Sequence, residues 1–156
     1  DLNLRDGAKV LASEMVAAGL YSSNQFYPAQ KLTYTVTDYC SFNAAQWAGD
    51  YEATENSEFN GSYGPYGVSI SASSTANRFN IDNWYDQQIP IYIVFEPSVD
   101  VDTQIVKAPL QADANNEGRT IEGVGVYNQC LGEITMDFTY KNGDTILDKF
   151  VWKLKK

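Results

Sequence analysis

The sequence predicts a mainly β fold, an antiparallel barrel or two-sheet sandwich of about eight strands with one N-terminal helix. Beyond Leu32 the apolar residues recur every second position, and turn-forming residues separate these runs at close spacing. Only the N-terminal end differs, with an apolar stripe at alternating steps of four and three, the period of a helix.

In chain order, Leu4, Ala8, Leu11, Met15 and Ala18 form the helical stripe, with Asn3 as N-cap, Asp6 in the first turn and Gly19 as the stop. Ser22, Ser23, Asn24 and Pro28 then break the chain into a loop over 21–30. Leu32, Tyr34 and Val36 alternate with threonines in a half-buried strand. Further strands are expected at 49–54, at 66–72, around Phe79 and Ile81, and at 104–106, 121–127, 133–140 and 145–154. The segment 91–96 is apolar on both faces, which places it centrally in a sheet. Residues 40–156 are expected to form the antiparallel β domain. Residues 1–39, the helix plus a first strand, are assigned to the same domain or to a preceding module.

The last hairpin permits a finer expectation. A two-residue turn at Asn142–Gly143 would set Met136 against Lys149 and split the apolar residues between faces. A three-residue loop, 141–143 with Gly143 left-handed, sets Phe138 against Ile146 and Ile134 against Phe150. Burial favours the second register, although it leaves Asp148 opposite Met136.

Charge excludes several functions. The 156-residue chain carries 11 basic and 20 acidic side chains, a formal charge of −9. Such a chain repels nucleic acid, whose binding needs Lys and Arg clusters, and it repels anionic lipid surfaces. Lys153, Lys155 and Lys156 are the one basic cluster and read as a solvated chain end. With no histidine, Ser-His and Cys-His nucleophiles and His-ligated catalytic zinc are absent. Cys40 and Cys130 are too few for a zinc cage; they read equally well as a disulfide or as two buried thiols. The longest apolar run, 89–95, contains Pro90 and is too short for a membrane helix. The chain opens at Asp1, and any leader or anchor is expected upstream of it.

Three groups of residues are candidates for a site. Asp113, Asn115 and Glu117, with Gly118 following, match the front of a calcium loop, the one cofactor the sequence suggests. The loop's twelfth position is Val124 where a carboxylate is needed, so a polar surface turn is the preferred reading. Asp100 and Asp102 would supply further oxygens if brought near. Among the aromatics, Phe59, Tyr63, Tyr66, Trp84 and Tyr85 lie in or beside Gly-, Ser- and Asn-rich loops. Rings beside loop amides and carboxylates suit sugar recognition, and Trp84, Tyr85, Tyr63 and Tyr66 are taken as the ligand-binding set. Asp82, Asn83 and Asp86 around Trp84 and Tyr85 signal an exposed turn. Of the carboxylates, Glu96 is singled out because it ends a strongly apolar strand, where burial raises a carboxyl pKa. Catalytic residues are not assigned.

The stretch Cys40-Ser-Phe42-Asn43, followed by Trp47-Ala-Gly49-Asp-Tyr51, resembles the opening of a domain found in surface lipoproteins of Bacteroides-type gut bacteria. Tyr63-Gly64-Pro65-Tyr66, Arg78-Phe79-Asn80-Ile81-Asp82-Asn83 and Gly123-Val-Gly125-Val-Tyr127-Asn-Gln-Cys130 are similar to that group's recurring segments. The resemblance spans residues 40 to 156 and rests on short structural motifs. It implies an extracytoplasmic protein, at the outer membrane surface or in the periplasm, tethered by a lipidated cysteine upstream of Asp1. The Trp47-x-Gly49-x-Tyr51 opening also resembles lipocalin-like barrels, in which a Trp closes one end, with the usual order of Gly before Trp reversed.

These readings converge on a non-enzymatic binding or accessory domain that takes a glycan or another small extracellular ligand. A structural protein pairing through an open sheet edge is the alternative. A carboxylate-only hydrolase ranks third and requires two carboxylates facing each other across a cleft.

Overall fold

A computed structural model describes residues 2–3, 9–10, 40–98 and 104–156. The chain divides into two compact units, Asp1–Val36 and Thr37–Lys156. In the first, β1 (Leu2–Asn3) pairs antiparallel with β2 (Lys9–Val10). Strand pairing at Asn3 and at Lys9–Val10 replaces the helix expected there. The rest of the helical stripe, the 21–30 loop, the 32–37 strand, Asp100 and Asp102 lie outside the described residues.

The second unit is a closed antiparallel barrel of eight strands in simple up-and-down order. They are β3 (Gly49–Ser57), β4 (Gly61–Ala72), β5 (Arg78–Trp84), β6 (Ile89–Glu96), β7 (Ile105–Ala112), β8 (Arg119–Asn128), β9 (Glu133–Asn142) and β10 (Thr145–Lys155). β10 pairs back onto β3, with Trp152 against Glu55 and Leu154 against Ala53. The alternation read from the sequence places each strand. In β3, for example, Tyr51, Ala53 and Glu55 are buried while Asp50, Glu52 and Thr54 face outward. The same pattern corrects 91–96. Ile89, Ile91, Ile93 and Phe95 point inward, whereas Pro90 is exposed and Tyr92 and Val94 are half-covered, because a closed barrel has no doubly covered central strand. Its outward face carries Glu52, Lys107, Glu122, Lys141 and Lys153, the opposite of the apolar band a lipid-facing barrel presents. Among the described residues no helix is long and apolar enough to cross a membrane.

The lumen is filled. Trp47, Trp84, Trp152, Phe79, Phe95 and Phe138 are each at most 2% exposed and pack ring against ring down its length. An eight-stranded barrel is just wide enough for side chains to fill it. The close pass of the β9 backbone leaves room only for hydrogen on the strand beside it: a Cβ on Gly125 would collide with the Thr135 carbonyl oxygen and the Met136 Cα.

One end is sealed. The 3-10 helix η1 (Ala44–Gln46), capped by the Asn43 side chain on the Ala45 amide, lays Trp47 into the barrel mouth. Trp47 stacks on Phe95 at 4.8 Å and donates through Nε1 to Gln129 Oε1 at 2.8 Å. The Asn43 amide donates to the same oxygen, and Gln129 donates in turn to Gln46. A Cys40–Cys130 disulfide ties this plug to the β8–β9 turn. Lys156 donates to the Gln46 and Ala48 carbonyls at 2.6 and 3.0 Å, so the chain end expected in solvent is a clamp on the plug.

Candidate functional site at the open end of the barrel

Up-and-down connection gathers the turns after β3, β5, β7 and β9 at the other end. Each of these four hairpins carries a register shift: between Ala53 and Glu55, Ile81 and Trp84, Ala108 and Gln111, and Ile146 and Asp148. The pairings β4–β5, β6–β7, β8–β9 and β10–β3 show none. Bulges bend a strand and re-aim its side chains, and they concentrate at barrel rims and beside functional sites.

In the β3–β4 hairpin the shift sets Tyr63 against Glu55 and Tyr66 against Ala53. Gly64 makes this possible: its φ is +107°, and a Cβ there would come within 2.7 Å of the Ala53 carbonyl oxygen. In the β5–β6 hairpin the shift turns Trp84 inward although it lies three residues after the inward Ile81. The turn that follows holds Tyr85, Asp86 and Gln88 at φ of 61°, 47° and 54°. Left-handed backbone costs a non-glycine residue about 1 kcal/mol or more, and such residues cluster where a site needs them. Here the reversal lets Tyr85 follow Trp84 to the same side, their rings 5.3 Å apart.

The β9–β10 register differs from both expectations. The turn is Gly143–Asp144, with Thr145 against Asn142 and, past a bulge at Leu147, Asp148 against Tyr140 and Phe150 against Phe138. Gly143 is left-handed as expected, φ 56°, and Phe150 and Trp152 face inward with Ile134 and Phe138. The pairing, however, is displaced by four residues, and the bulge leaves Ile146, expected against Phe138, exposed. Asp148 therefore never meets Met136. It is 1% exposed and accepts four bonds: Ser57 Oγ (2.6 Å) and the Lys149 amide (2.8 Å) on Oδ1, Tyr85 Oη (2.7 Å) and Asn60 Nδ2 (3.2 Å) on Oδ2.

Around this rim four tyrosine hydroxyls each donate to a carboxylate: Tyr66 to Glu55, Tyr85 to Asp148, Tyr63 to Asp86 (2.5 Å) and Tyr140 to Asp113. Trp152 Nε1 donates to Tyr66 Oη at 2.8 Å, completing a chain from β10 through β4 to β3. Glu55 is 6% exposed. Burial pushes its carboxyl up to about 7; the Tyr66 bond opposes this, and the charges of Asp148 and Asp86 add to it. Burial and the bond to Asp148 likewise raise the Tyr85 hydroxyl above the usual tyrosine range. Among the described residues no Lys or Arg forms an ion pair with Glu55, Asp86 or Asp148.

A cleft of about 340 Å³ opens here, lined by Glu55, Ser57, Asn60, Tyr63, Tyr85 and Asp86 among others. A second, of about 290 Å³, shares Glu55, Ser62 and Tyr63 with it. Of the four aromatic residues expected to bind ligand, Tyr63 and Tyr85 line the first cleft, and Tyr66 lies beneath it on Glu55. Trp84 does not contact it. At 0% exposure it is core, packed against Phe138, Tyr140 and Phe150, because the bulge inverts its face. Phe59 is exposed in the β3–β4 turn.

Asp113, Asn115 and Glu117 sit at the same end but form a closed turn. Asp113 Oδ1 accepts from the Asn115 and Asn116 amides at 2.8 and 3.1 Å, and Oδ2 accepts from Asn116 Nδ2 and Tyr140. Burial raises the Asp113 carboxyl, but these bonds outweigh it and hold the group below the usual carboxylate range. Asn115 Nδ2 donates to the Gln87 and Gln88 carbonyls, bracing one rim turn on the next, and Glu117 faces solvent. Among the described residues no three acidic or cysteine side chains are grouped to hold a metal ion. Glu96 is exposed and pairs with Lys107 at 2.6 Å, away from this end.

Glu55 and Gln129 were not singled out from the sequence, and Asp148 stood out only as a charge opposite Met136. Glu55 and Asp148 had a readable signal. Each continues an inward apolar phase, Glu55 after Tyr51 and Ala53 and Asp148 before Phe150 and Trp152. A charge in phase with a core face is a buried polar group needing partners. Comparison with protein-family models, with curated proteins and with solved structures finds no match.

Proposed function

We propose that the barrel is a non-catalytic binding domain whose open-end cleft takes a glycan or another small polar ligand. The observation that carries this reading is the meeting of Tyr63, Tyr85 and Glu55, from three separate hairpin segments, on one cleft at the bulged end of a filled barrel. A packed lumen excludes a ligand from the barrel interior. A larger cleft of about 620 Å³ on the wall beside β4 and β5 has Tyr51 as its one aromatic, whereas the rim sets aromatic faces beside fixed polar groups, which suits sugar rings. The Cys40–Cys130 bond supports an oxidising, extracytoplasmic setting, in keeping with a surface lipoprotein anchored upstream of Asp1.

Two other readings are weaker for physical reasons. Pairing through a sheet edge needs a free edge strand, and closure of β10 onto β3 leaves none among the eight. Where the β4–β5 and β6–β7 ladders are short, the Asp82, Asn83 and Gln111 side chains bond the facing backbone. Hydrolysis needs two carboxylates with lone pairs free for water or substrate, and both Asp148 oxygens are filled by donors. Asp86, which lines the cleft with Glu55, is exposed and engaged by Tyr63 and Asn83, so this reading ranks lower.

Glycan-array screening followed by calorimetry tests the proposal. Tyr63→Ala removes an exposed ring without touching the core and should weaken binding about tenfold or more while leaving the melting temperature within a degree or two. Binding indifferent to Tyr63→Ala would dismiss this cleft as the site.

A further inference from the structure

We propose that the open-end cleft selects ligands that bring hydrogen-bond donors, an amine-bearing glycan foremost, and that Glu55 is the residue that reads the amine. This rests on the binding reading above and narrows its ligand class.

The argument is an inventory of donors. Tyrosine, serine and asparagine side chains ordinarily offer a ligand both donors and acceptors. Around this cleft the Tyr63, Tyr85 and Ser57 hydroxyls and the Asn60 amide are already engaged by carboxylates, while the Gln87 side chain is turned to solvent. Tyr63 Oη is bound to Asp86, Tyr85 Oη and Ser57 Oγ to Asp148, and Asn60 Nδ2 also to Asp148. What these hydroxyls turn toward a ligand is lone pairs. A carboxylated or phosphorylated ligand therefore finds few donors and faces three carboxylates. A ligand that supplies N–H groups finds acceptors.

Glu55 adds an independent constraint. It is almost wholly buried, it borders both clefts, and its one bonded oxygen is held by Tyr66. The groups that act on it directly are neutral or acidic, Tyr66 from β4, Asp148 from β10 and Asp86 from the β5–β6 turn, while Lys153 lines the second cleft from the exposed face of β10 without pairing with it. A desolvated carboxylate with no cation is driven toward its protonated form, consistent with its elevated pKa. A ligand ammonium offsets that cost, and a charge-assisted bond in a shielded site is the stronger kind. The exposed ring of Tyr63, opposite Glu55 in the sheet register, offers a face to the same cation or to the sugar ring carrying it.

The probes are a glucosamine tetramer and an N-acetylglucosamine tetramer, which share a backbone and differ in whether the nitrogen can carry charge. Calorimetry on the intact chain near pH 7 should find the free-amine tetramer bound about tenfold tighter. Glu55→Gln keeps the shape and the acceptor for Tyr66, and should bring that ratio to about one. Its folding is checked by thermal melting, and Glu55→Asp, which retains the charge, should keep part of the preference. Equal affinities in the native chain, or a preference that survives Glu55→Gln, overturn the inference while leaving the binding function standing. Failure of both tetramers and of every glycan on the array overturns the two together.

Discussion

The two ends of this barrel are built from opposite materials. At the sealed end the plug is an indole, its polar contacts run through neutral amides and carbonyls and the Lys156 ammonium with no carboxylate among them, a disulfide locks it, and the hairpins run in unbroken register. At the open end four carboxylates are held by four tyrosines, every hairpin is bulged, and three non-glycine residues sit in left-handed backbone. The lesson is a division of labour along one axis. Regular packing gathers at the plugged end, and irregular, costly geometry gathers at the end that carries the cleft.

Mutation should separate the ends by sign as well as size. The largest effect is expected at the sealed end. Replacing Cys40 and Cys130 together by serine frees a loop spanning 90 residues, for which the chain-entropy relation gives a loss of about 4–5 kcal/mol. Denaturant unfolding of the double variant, read against the native chain, measures it. A loss under about 1 kcal/mol would mean the plug holds without its lock.

Glu55 should behave in the reverse sense. Its carboxyl titrates near 7 in the folded chain against an ordinary value near 4.5 unfolded. Between those values the folded state binds the extra proton, so stability falls as pH rises through this window and levels off above it. The difference is worth about 3 kcal/mol. Glu55→Gln should therefore flatten the pH 4.5–7 slope and make the protein more stable above pH 7. Unfolding midpoints across that range decide it, and a variant less stable than the native chain at pH 8 would remove the contrast between the ends.

A smaller effect is expected in the β7–β8 turn. Asp113→Ala leaves the Asn115 and Asn116 amides without their acceptor and should cost about 1–3 kcal/mol, with its largest relative effect near neutral pH, since the lowered folded pKa makes this contribution fade on acidification. Because Asp113 is already engaged on both oxygens, added calcium should leave the melting temperature of the native chain unchanged. A rise with calcium would show that the turn reopens around the ion.

Much of this was legible beforehand, and the reason is local. The eight barrel strands fall where two-residue alternation or apolar runs marked them, and of the loop aromatics singled out, Tyr63 and Tyr85 line the open-end cleft. The bulges were not legible. An inserted residue changes face without changing composition, so Trp84 looked like a loop aromatic and is core. Asp148 looked like a discord and is the hub of the rim. Glu55 lay one residue past the expected end of its strand and went unnoticed, while the solvent-exposed Glu96 drew attention for ending an apolar run.

The sequence by itself determined that residues from Gly49 onward form strands, and which side chains face inward along their regular parts, because a pleated strand converts period two directly into sides. Only the tertiary structure decided closure into a barrel, the pairing of Cys40 with Cys130, the four register shifts and the end at which they gather. Those depend on which strands meet and where each hairpin slips. The energies that choose among registers come from partners far away along the chain, such as Tyr85 on Asp148 and Trp152 on Tyr66.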